Sequence, residues 1–176
     1  AKEGMLGFFG AAGLTPQRVE TAIDRLQSNL KGLPLGFNLI HSPHEPDLEA
    51  GIVALYPRKG VRLVESSAYL DLTLPVVRYR VHGIHRDPSG DVITPNRLIA
   101  KVSREEVAAK FFAPPPEKFL RELVASDEIS PEQAEMAATV PMAQDVTAEA
   151  DSGGHTDNRP ALALFPTITA VRDAAQ

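Results

Sequence analysis

Short apolar runs alternate with capped, helix-periodic segments through the first third of this chain, and this alternation restricts the fold more than any other feature. Met5-Leu6-Gly7-Phe8-Phe9-Gly10-Ala11-Ala12-Gly13 is rich in small residues and reads as a buried strand running into a tight turn. Thr15-Pro16 supplies an N-cap followed by proline in the first helical turn. Val19, Ala22, Ile23, Leu26 and Leu30 then recur at helical spacing up to Gly32, a natural stop. Leu35-Gly36-Phe37-Asn38-Leu39-Ile40 reads as a short buried strand. Pro46 to Lys59 reads as a second helix with Leu48, Ile52, Val53 and Leu55 facing inward, and Val61 to Glu65 as a third strand. Strand, helix, strand, helix, strand with short links predicts an α/β fold: a parallel sheet joined by crossover helices.

The pattern loosens after that. Val76 to His82 alternates like an exposed strand, and Asp87-Pro88-Ser89-Gly90-Asp91 is a strong turn before Val92-Ile93. Residues 76–93 are therefore expected to form a β-hairpin insertion. Leu98 to Val102 resumes the buried-strand character, and Arg104 to about Phe112 reads as a helix. Ala113-Pro114-Pro115-Pro116 must break that helix, because proline offers no backbone donor and fixes φ. Residues 113–140 form a helical segment in this reading, with helices from Glu117 to Ala125 and from a Ser130-Pro131 cap to about Ala138. Asp145 to Ala150 reads as a fifth strand ending in Asp151-Ser152-Gly153-Gly154-His155, and a last helix is expected near Phe165-Pro166. At 176 residues the chain is long enough for one domain with a substantial core, residues 1–176, and too short for two ordinary ones.

Composition removes several classes of function. With 43% hydrophobic and 23% charged residues the chain is not of the disordered type. A net charge of -5 gives no electrostatic footprint for nucleic acid, and Arg58-Lys59-Gly60-Val61-Arg62 is too short a basic cluster to make one. There is no cysteine, which excludes disulfides, thiolate nucleophiles and Cys-ligated zinc. No apolar run approaches the roughly 20 residues a membrane span needs. The start at Ala1-Lys2-Glu3-Gly4 shows no signal peptide, so a soluble, cytoplasmic protein with no membrane partner is expected. The absence of an initiator methionine suggests numbering that begins inside a longer gene product.

The segment Val146 to His155 is the one most suited to chemistry. In (β/α)8 barrels function sits on loops after the C-terminal ends of the strands, and this segment lies at such an end. Gly153 and Gly154 let backbone lie against a flat ring system, since no Cβ holds it away. His155 can donate a hydrogen bond or exchange a proton near neutral pH. Taken alone, Ser-Gly-Gly-His reads more readily as a plain flexible loop.

The chain resembles the nitronate monooxygenase and flavin-dependent enoyl-(acyl-carrier-protein) reductase superfamily. Within it, the resemblance is to the trans-acting enoyl reductases of polyunsaturated-fatty-acid and polyketide synthases. Gly4-Met5-Leu6-Gly7 resembles the family's first-strand loop, Leu35-Gly36-Phe37-Asn38-Leu39 its second strand, and Asp151-Ser152-Gly153-Gly154-His155 its acidic-small-Gly-Gly-His signature. Asn38-Leu39-Ile40-His41-Ser42-Pro43, Ser67-Ala68-Tyr69-Leu70, Phe111 to Pro116 and His155 to Pro160 are similar to the synthase-associated branch. The resemblance implies an FMN-binding (β/α)8 TIM barrel, of which this chain holds roughly the first five strands plus the hairpin. It implies FMN contacts from Met5, Leu6, Gly7, Asn38, Gly153 and Gly154, with His155 catalytic. NADPH or NADH would reduce the flavin, and the substrate would be an α,β-unsaturated acyl thioester on an acyl carrier protein of a synthase complex. Ala148 stands where many members carry glutamine, so that flavin contact does not transfer. Two alternatives remain open: a nitronate monooxygenase, and a non-catalytic interaction fragment displaying the hairpin to a synthase partner. Self-association into a homo-oligomer is a further expectation.

Lys101, near the end of the fourth strand, is placed to face the flavin and offset its negative charge, or is simply a strand-end lysine. Asp151 either orients His155 or caps its loop, and Arg159 suits a phosphate but equally a surface. Phe111-Phe112 reads as a buried staple between helices. His41 and His44, and His82 and His85, sit three apart, yet this spacing alone defines no metal centre, which needs three or four ligands; none is expected.

Overall fold

Parallel pairing governs the architecture of the computed structural model, which describes residues 1–148 and 161–175. Five strands form one sheet: β1 (Gly7–Phe9), β2 (Leu35–Ile40), β3 (Leu63–Ser67), β6 (Arg97–Val102) and β7 (Asp145–Ala148). They lie side by side in chain order, every neighbouring pair parallel. Between them run α1 (Pro16–Asn29), α2 (Pro46–Arg58), α3 (Leu74–Val81), α4 (Glu105–Phe112), α5 (Glu117–Ala125) and α6 (Pro131–Ala137), and α7 (Ala161–Ala174) follows β7. A small antiparallel ribbon, β4 (His85–Arg86) with β5 (Val92–Ile93), stands apart from the sheet.

Alternation along the strands divides the sheet into two unlike faces. Phe37, Leu39, Val64, Leu98, Ala100 and Val102 are buried with the helices, packed with Val19 and Ile23 of α1, Ile52, Val53, Leu55 and Tyr56 of α2, and Phe111 of α4. The opposite face carries Phe8, Asn38, Glu65, Ile99, Lys101 and Thr147, and most of it is half-buried or exposed. The sheet is thus covered on one side only within the described residues.

Local signals set the helix ends. Thr15 Oγ1 accepts from the Arg18 amide, as the Thr-Pro start requires. At the far end of α2, Gly60 takes φ +68°, the Gly60 amide donates to Pro57 O and the Val61 amide to Tyr56 O. This pair of backward bonds is a Schellman closure, for which glycine has the least steric cost. It consumes Val61, so β3 starts at Leu63 rather than at Val61 as expected. Ser130 and Gln133 close a full capping box on α6. The helical segment at 113–140 resolves into α5 and α6, and the last helix begins at Ala161, four residues before Phe165.

The expected hairpin at 76–93 requires correction. Val76 to Val81 belongs to α3, whose Val76, Val77, Tyr79, Arg80 and Val81 are all buried, and only residues 85–93 make the ribbon. The period-two alternation misled because this helix is covered nearly all round, so its valines and arginines carry no solvent-facing stripe. Two facts favour helix: Thr73 Oγ1 caps the Val76 amide ahead of Leu74-Pro75, and parallel β3 and β6 need a crossover of about a dozen residues or more. The turn itself holds, with Asp87 Oδ1 accepting from the Ser89 and Asp91 amides at 2.9 and 3.0 Å.

Arg80 secures that crossover from inside. Its Nε donates to Pro141 O at 3.0 Å and its Nη1 to Asn96 O at 2.8 Å, while Asn96 Nδ2 donates to Tyr79 O at 2.6 Å. Burial lowers the guanidinium pKa to about 10, and it stays charged at neutral pH.

All three tyrosines are buried, and each hydroxyl donates inward: Tyr56 to Asn38 O, Tyr69 to Glu49 Oε1 and Tyr79 to Val61 O. Burial raises all three phenol pKa values above the ordinary 10, with the Glu49 carboxylate adding to the rise at Tyr69. Between pH 10 and the raised values the unfolded chain releases protons that the folded chain keeps. The tyrosine contribution is therefore complete below pH 10 and is lost as pH rises above it. A spectrophotometric titration of the phenols should show phenolate appearing together with loss of far-ultraviolet dichroism. Three independent ionisations near pH 10 in a chain that stays folded would contradict this packing.

Candidate functional site

The half-open face gathers its polar side chains toward the C-terminal ends of the strands. Asn38 is in register with Glu65, and Ile40 with Ser67. Ser66 is in register with Ala100, which brings Lys101 level with Ser67, and Lys101 with Thr147. Asn38 Nδ2 donates to Glu65 Oε2 at 2.7 Å and to Ser67 Oγ at 2.9 Å, and Ser67 Oγ donates to Glu65 Oε1 at 2.9 Å. Lys101 Nζ stands 3.4 Å from Glu65 Oε1. Asn38 is only 8% exposed and Ser67 5%, while the Lys101 side chain keeps 31% of its surface. Amide, hydroxyl, carboxylate and ammonium thus meet on three adjacent strands.

Chain entry to this level comes from β1. Gly7 pairs with Leu35 and Phe9 with Phe37, so Gly10 arrives beside Asn38. The loop Gly10-Ala11-Ala12-Gly13 then turns at the sheet end, with Gly13 at φ +66°. A Cβ built on Gly10 would meet nothing within 4 Å, so backbone there is open to a ligand. Lower down, the Phe8 ring lies where a Gly36 side chain would be, and any Cβ at Gly36 would collide with it.

The sequence-derived candidates divide accordingly. Asn38 and Lys101 are brought together, through Glu65. Met5, Leu6 and Gly7 are not: they sit at the opposite end of β1, with Met5 66% and Leu6 43% exposed. Three residue steps separate the Leu35 level from Asn38 and five separate it from Ile40, about 10 and 16 Å along a strand. The small residues that reach the site are those of the following loop, Gly10 to Gly13. Gly153, Gly154 and His155, with Asp151 and Arg159, lie outside the described residues. Ala148 ends β7 in register with Val102.

A second polar cluster supports the same rim from the helix side. Glu49, 4% exposed, receives His41 Nδ1 at 2.8 Å on one oxygen, and Tyr69 OH at 3.0 Å and Thr73 Oγ1 at 2.6 Å on the other. The His41 and Tyr69 rings stack with centroids 5.1 Å apart. One carboxylate therefore ties the loop after β2 to the loop after β3, where Ala68 is held at φ +64°. Phe111 packs edge-on to Tyr69, in keeping with a buried role. Among the described residues no three His, Asp or Glu side chains form a group able to hold a metal ion. His41 bonds instead to Glu49, and His85 Nδ1 to Gly83 O at 2.9 Å. No helix among the described residues is long and apolar enough to cross a membrane.

Sequence reasoning missed Glu65, Ser67 and Glu49. Glu49 was signalled: it falls with Ile52, Val53 and Tyr56 on one helical stripe, where a carboxylate must be satisfied internally. Glu65 was signalled more faintly, as an acid in the middle of the short strand Leu63–Ser67.

Known proteins are similar to this chain along nearly its whole length. No family model matches it. A polyunsaturated fatty acid synthase polypeptide of Thraustochytrium sp. is 50% identical over 172 residues, and the polyketide biosynthesis protein PksE of Bacillus subtilis 45% identical over 174. Each alignment takes in 98% of this chain. The crystal structure of the enoyl reductase domain of MlnA, from the macrolactin biosynthesis cluster of Bacillus amyloliquefaciens, superposes on 99% of the chain with a TM-score of 0.92 at 39% identity. The chain is homologous to parts of these synthase proteins. It spans 12% of the Thraustochytrium relative, 23% of PksE and 39% of the solved MlnA chain.

Within the family frame, Glu49 is the residue whose loss should loosen the rim. Glu49→Ala leaves the buried Tyr69 hydroxyl and the half-buried His41 and Thr73 donors without an acceptor and should lower the unfolding free energy by about 2–4 kcal/mol in urea titration. Glu49→Gln keeps one acceptor oxygen and should cost less. A change within about 0.5 kcal/mol for the alanine variant, the range of ordinary surface substitutions, would show that the cluster does not hold the loops.

Proposed function

We propose that this chain forms part of a flavin-dependent (β/α)8-barrel enoyl reductase that acts on carrier-bound acyl chains in polyketide or polyunsaturated-fatty-acid synthesis. The observation that carries the reading is the match to the MlnA enoyl reductase domain, at 39% identity over 99% of the chain, combined with a polar cluster at the strand ends. Sequential parallel strands covered by helices on one face are the form that part of such a barrel takes, and the C-terminal ends of its strands are where its sites lie.

The residues present fit FMN. Isoalloxazine is flat with a polar edge, and the half-open face offers a side-chain-free Gly10 beside Asn38, with Lys101 supplying positive charge. When bound, the flavin would carry hydride from NADPH or NADH to the β-carbon of the unsaturated thioester. The chain's own residues hold and orient it. Asn38 is fixed by Glu65 and Ser67, and so meets the ring edge without reorganising. Lys101 offsets negative charge on the ring. His155 stabilises the enolate oxygen or delivers a proton to the α-carbon, the two roles a neutral-pH imidazole can fill. The relatives' place in synthases fits a partner that presents the thioester on an acyl carrier protein.

Steady-state NADPH oxidation with a crotonyl thioester, beside oxygen uptake with a propyl nitronate, tests the activity in the flavin-loaded protein. Thioester reduction is expected, and His155→Ala should lower kcat by about 100-fold or more. Turnover of the nitronate alone would replace this function with nitronate oxidation, and unchanged reduction in the variant would remove His155 from the chemistry.

A further inference from the structure

Glu65 is the centre of the strand-end cluster, and no step above assigns it a role of its own. Three donors converge on its carboxylate: Asn38 Nδ2 at 2.7 Å on one oxygen, Ser67 Oγ at 2.9 Å and Lys101 Nζ at 3.4 Å on the other. The side chain sits on the half-open face with 16% of its surface exposed, beside a Lys101 that is 31% exposed. Lys101 keeps 31% of its surface, so water screens this ion pair in part. The same pair gains weight when a flat ligand covers it, since displaced water lowers the local dielectric. The cluster stands toward the C-terminal ends of parallel strands, the end at which α/β sheets meet their ligands.

Resting on the flavin reading, we propose that Glu65 is a positioning residue: it holds Lys101 against the site and sets the net charge that the flavin meets there. The Lys101 charge favours the reduced, more negative flavin. Glu65 balances it and moderates that preference. Ser67 and Asn38 keep the carboxylate in place, each through a direct hydrogen bond.

The experiment is a set of four variants of the flavin-loaded protein, read by flavin midpoint potential and flavin dissociation constant. Glu65→Gln removes the negative charge at constant shape and should raise the ratio of reduced to oxidised flavin affinity about tenfold, which is about 30 mV upward for a two-electron couple. Lys101→Met should move the potential downward, and the double variant should return close to wild type. Glu65→Asp keeps the charge and should stay near the wild-type potential. Opposite signs are what charge balance predicts, whereas a purely structural role would weaken flavin binding in both single variants without opposed potentials. A Glu65→Gln potential that is unchanged or lower, in protein that binds flavin and responds to Lys101→Met, overturns the role of Glu65 alone. So does a Glu65→Asp shift equal to that of Glu65→Gln. A wild-type protein that takes up no flavin overturns the flavin reading, and this assignment with it.

Discussion

The register between β2 and β3 determines every contact at the strand-end cluster. Asn38 meets Glu65, and Ile40 meets Ser67, only because Phe37 lies beside Val64 on the buried face. A slip of one residue would send Phe37 and Leu39 into solvent and turn Asn38 toward the helices. The hydrophobic core therefore enforces the polar geometry: Phe37, Leu39 and Val64, each at most 2% exposed, fix where the amide and the carboxylate must stand. Tyr56 reinforces that register by donating its hydroxyl to the carbonyl of Asn38 itself.

The rim above this sheet is held by a different device. Glu49 reaches from α2 to residues following β2 and β3, and it collects three donors in a nearly dry environment. Burial of a carboxylate is costly unless its lone pairs are filled, so the same residue that would destabilise an apolar helix stripe instead fastens two loops. Beneath the sheet, Arg80 and Asn96 do the corresponding work for the α3 to β6 crossover by satisfying backbone carbonyls from inside. The Glu49 network thus serves the C-terminal ends of β2 and β3, and the Arg80–Asn96 network the N-terminal end of β6.

Much of the sheet was legible in the sequence because its strands are short apolar runs between capped helices. Thr15-Pro16, Gly60 and Ser130-Pro131 each act locally, through one or two hydrogen bonds, and so can be read without tertiary context. The failure at α3 has the opposite origin. A helix buried on nearly every side loses the amphipathic stripe, and Val76, Val77 and Val81 then imitate a strand. The candidate site was legible in its residue types but not in its layout. Asn38 and Lys101 fall toward the strand ends and are brought together through Glu65, whereas Met5, Leu6 and Gly7 stand at the start of β1. The turn that serves the site is spelled with the small residues Gly10 to Gly13, and where that short strand stops is fixed by pairing with β2. Glu65 escaped notice because its role exists only once β2, β3 and β6 lie together.

A crystal structure of the flavin-loaded protein tests most directly whether the strand-end cluster is the ligand site. The account predicts the isoalloxazine lying along Gly10, with its polar edge about 3 Å from the side chains of Asn38 and Lys101. A flavin bound elsewhere, with Asn38, Glu65, Ser67 and Lys101 uncovered and bonded to one another as they are here, would contradict it.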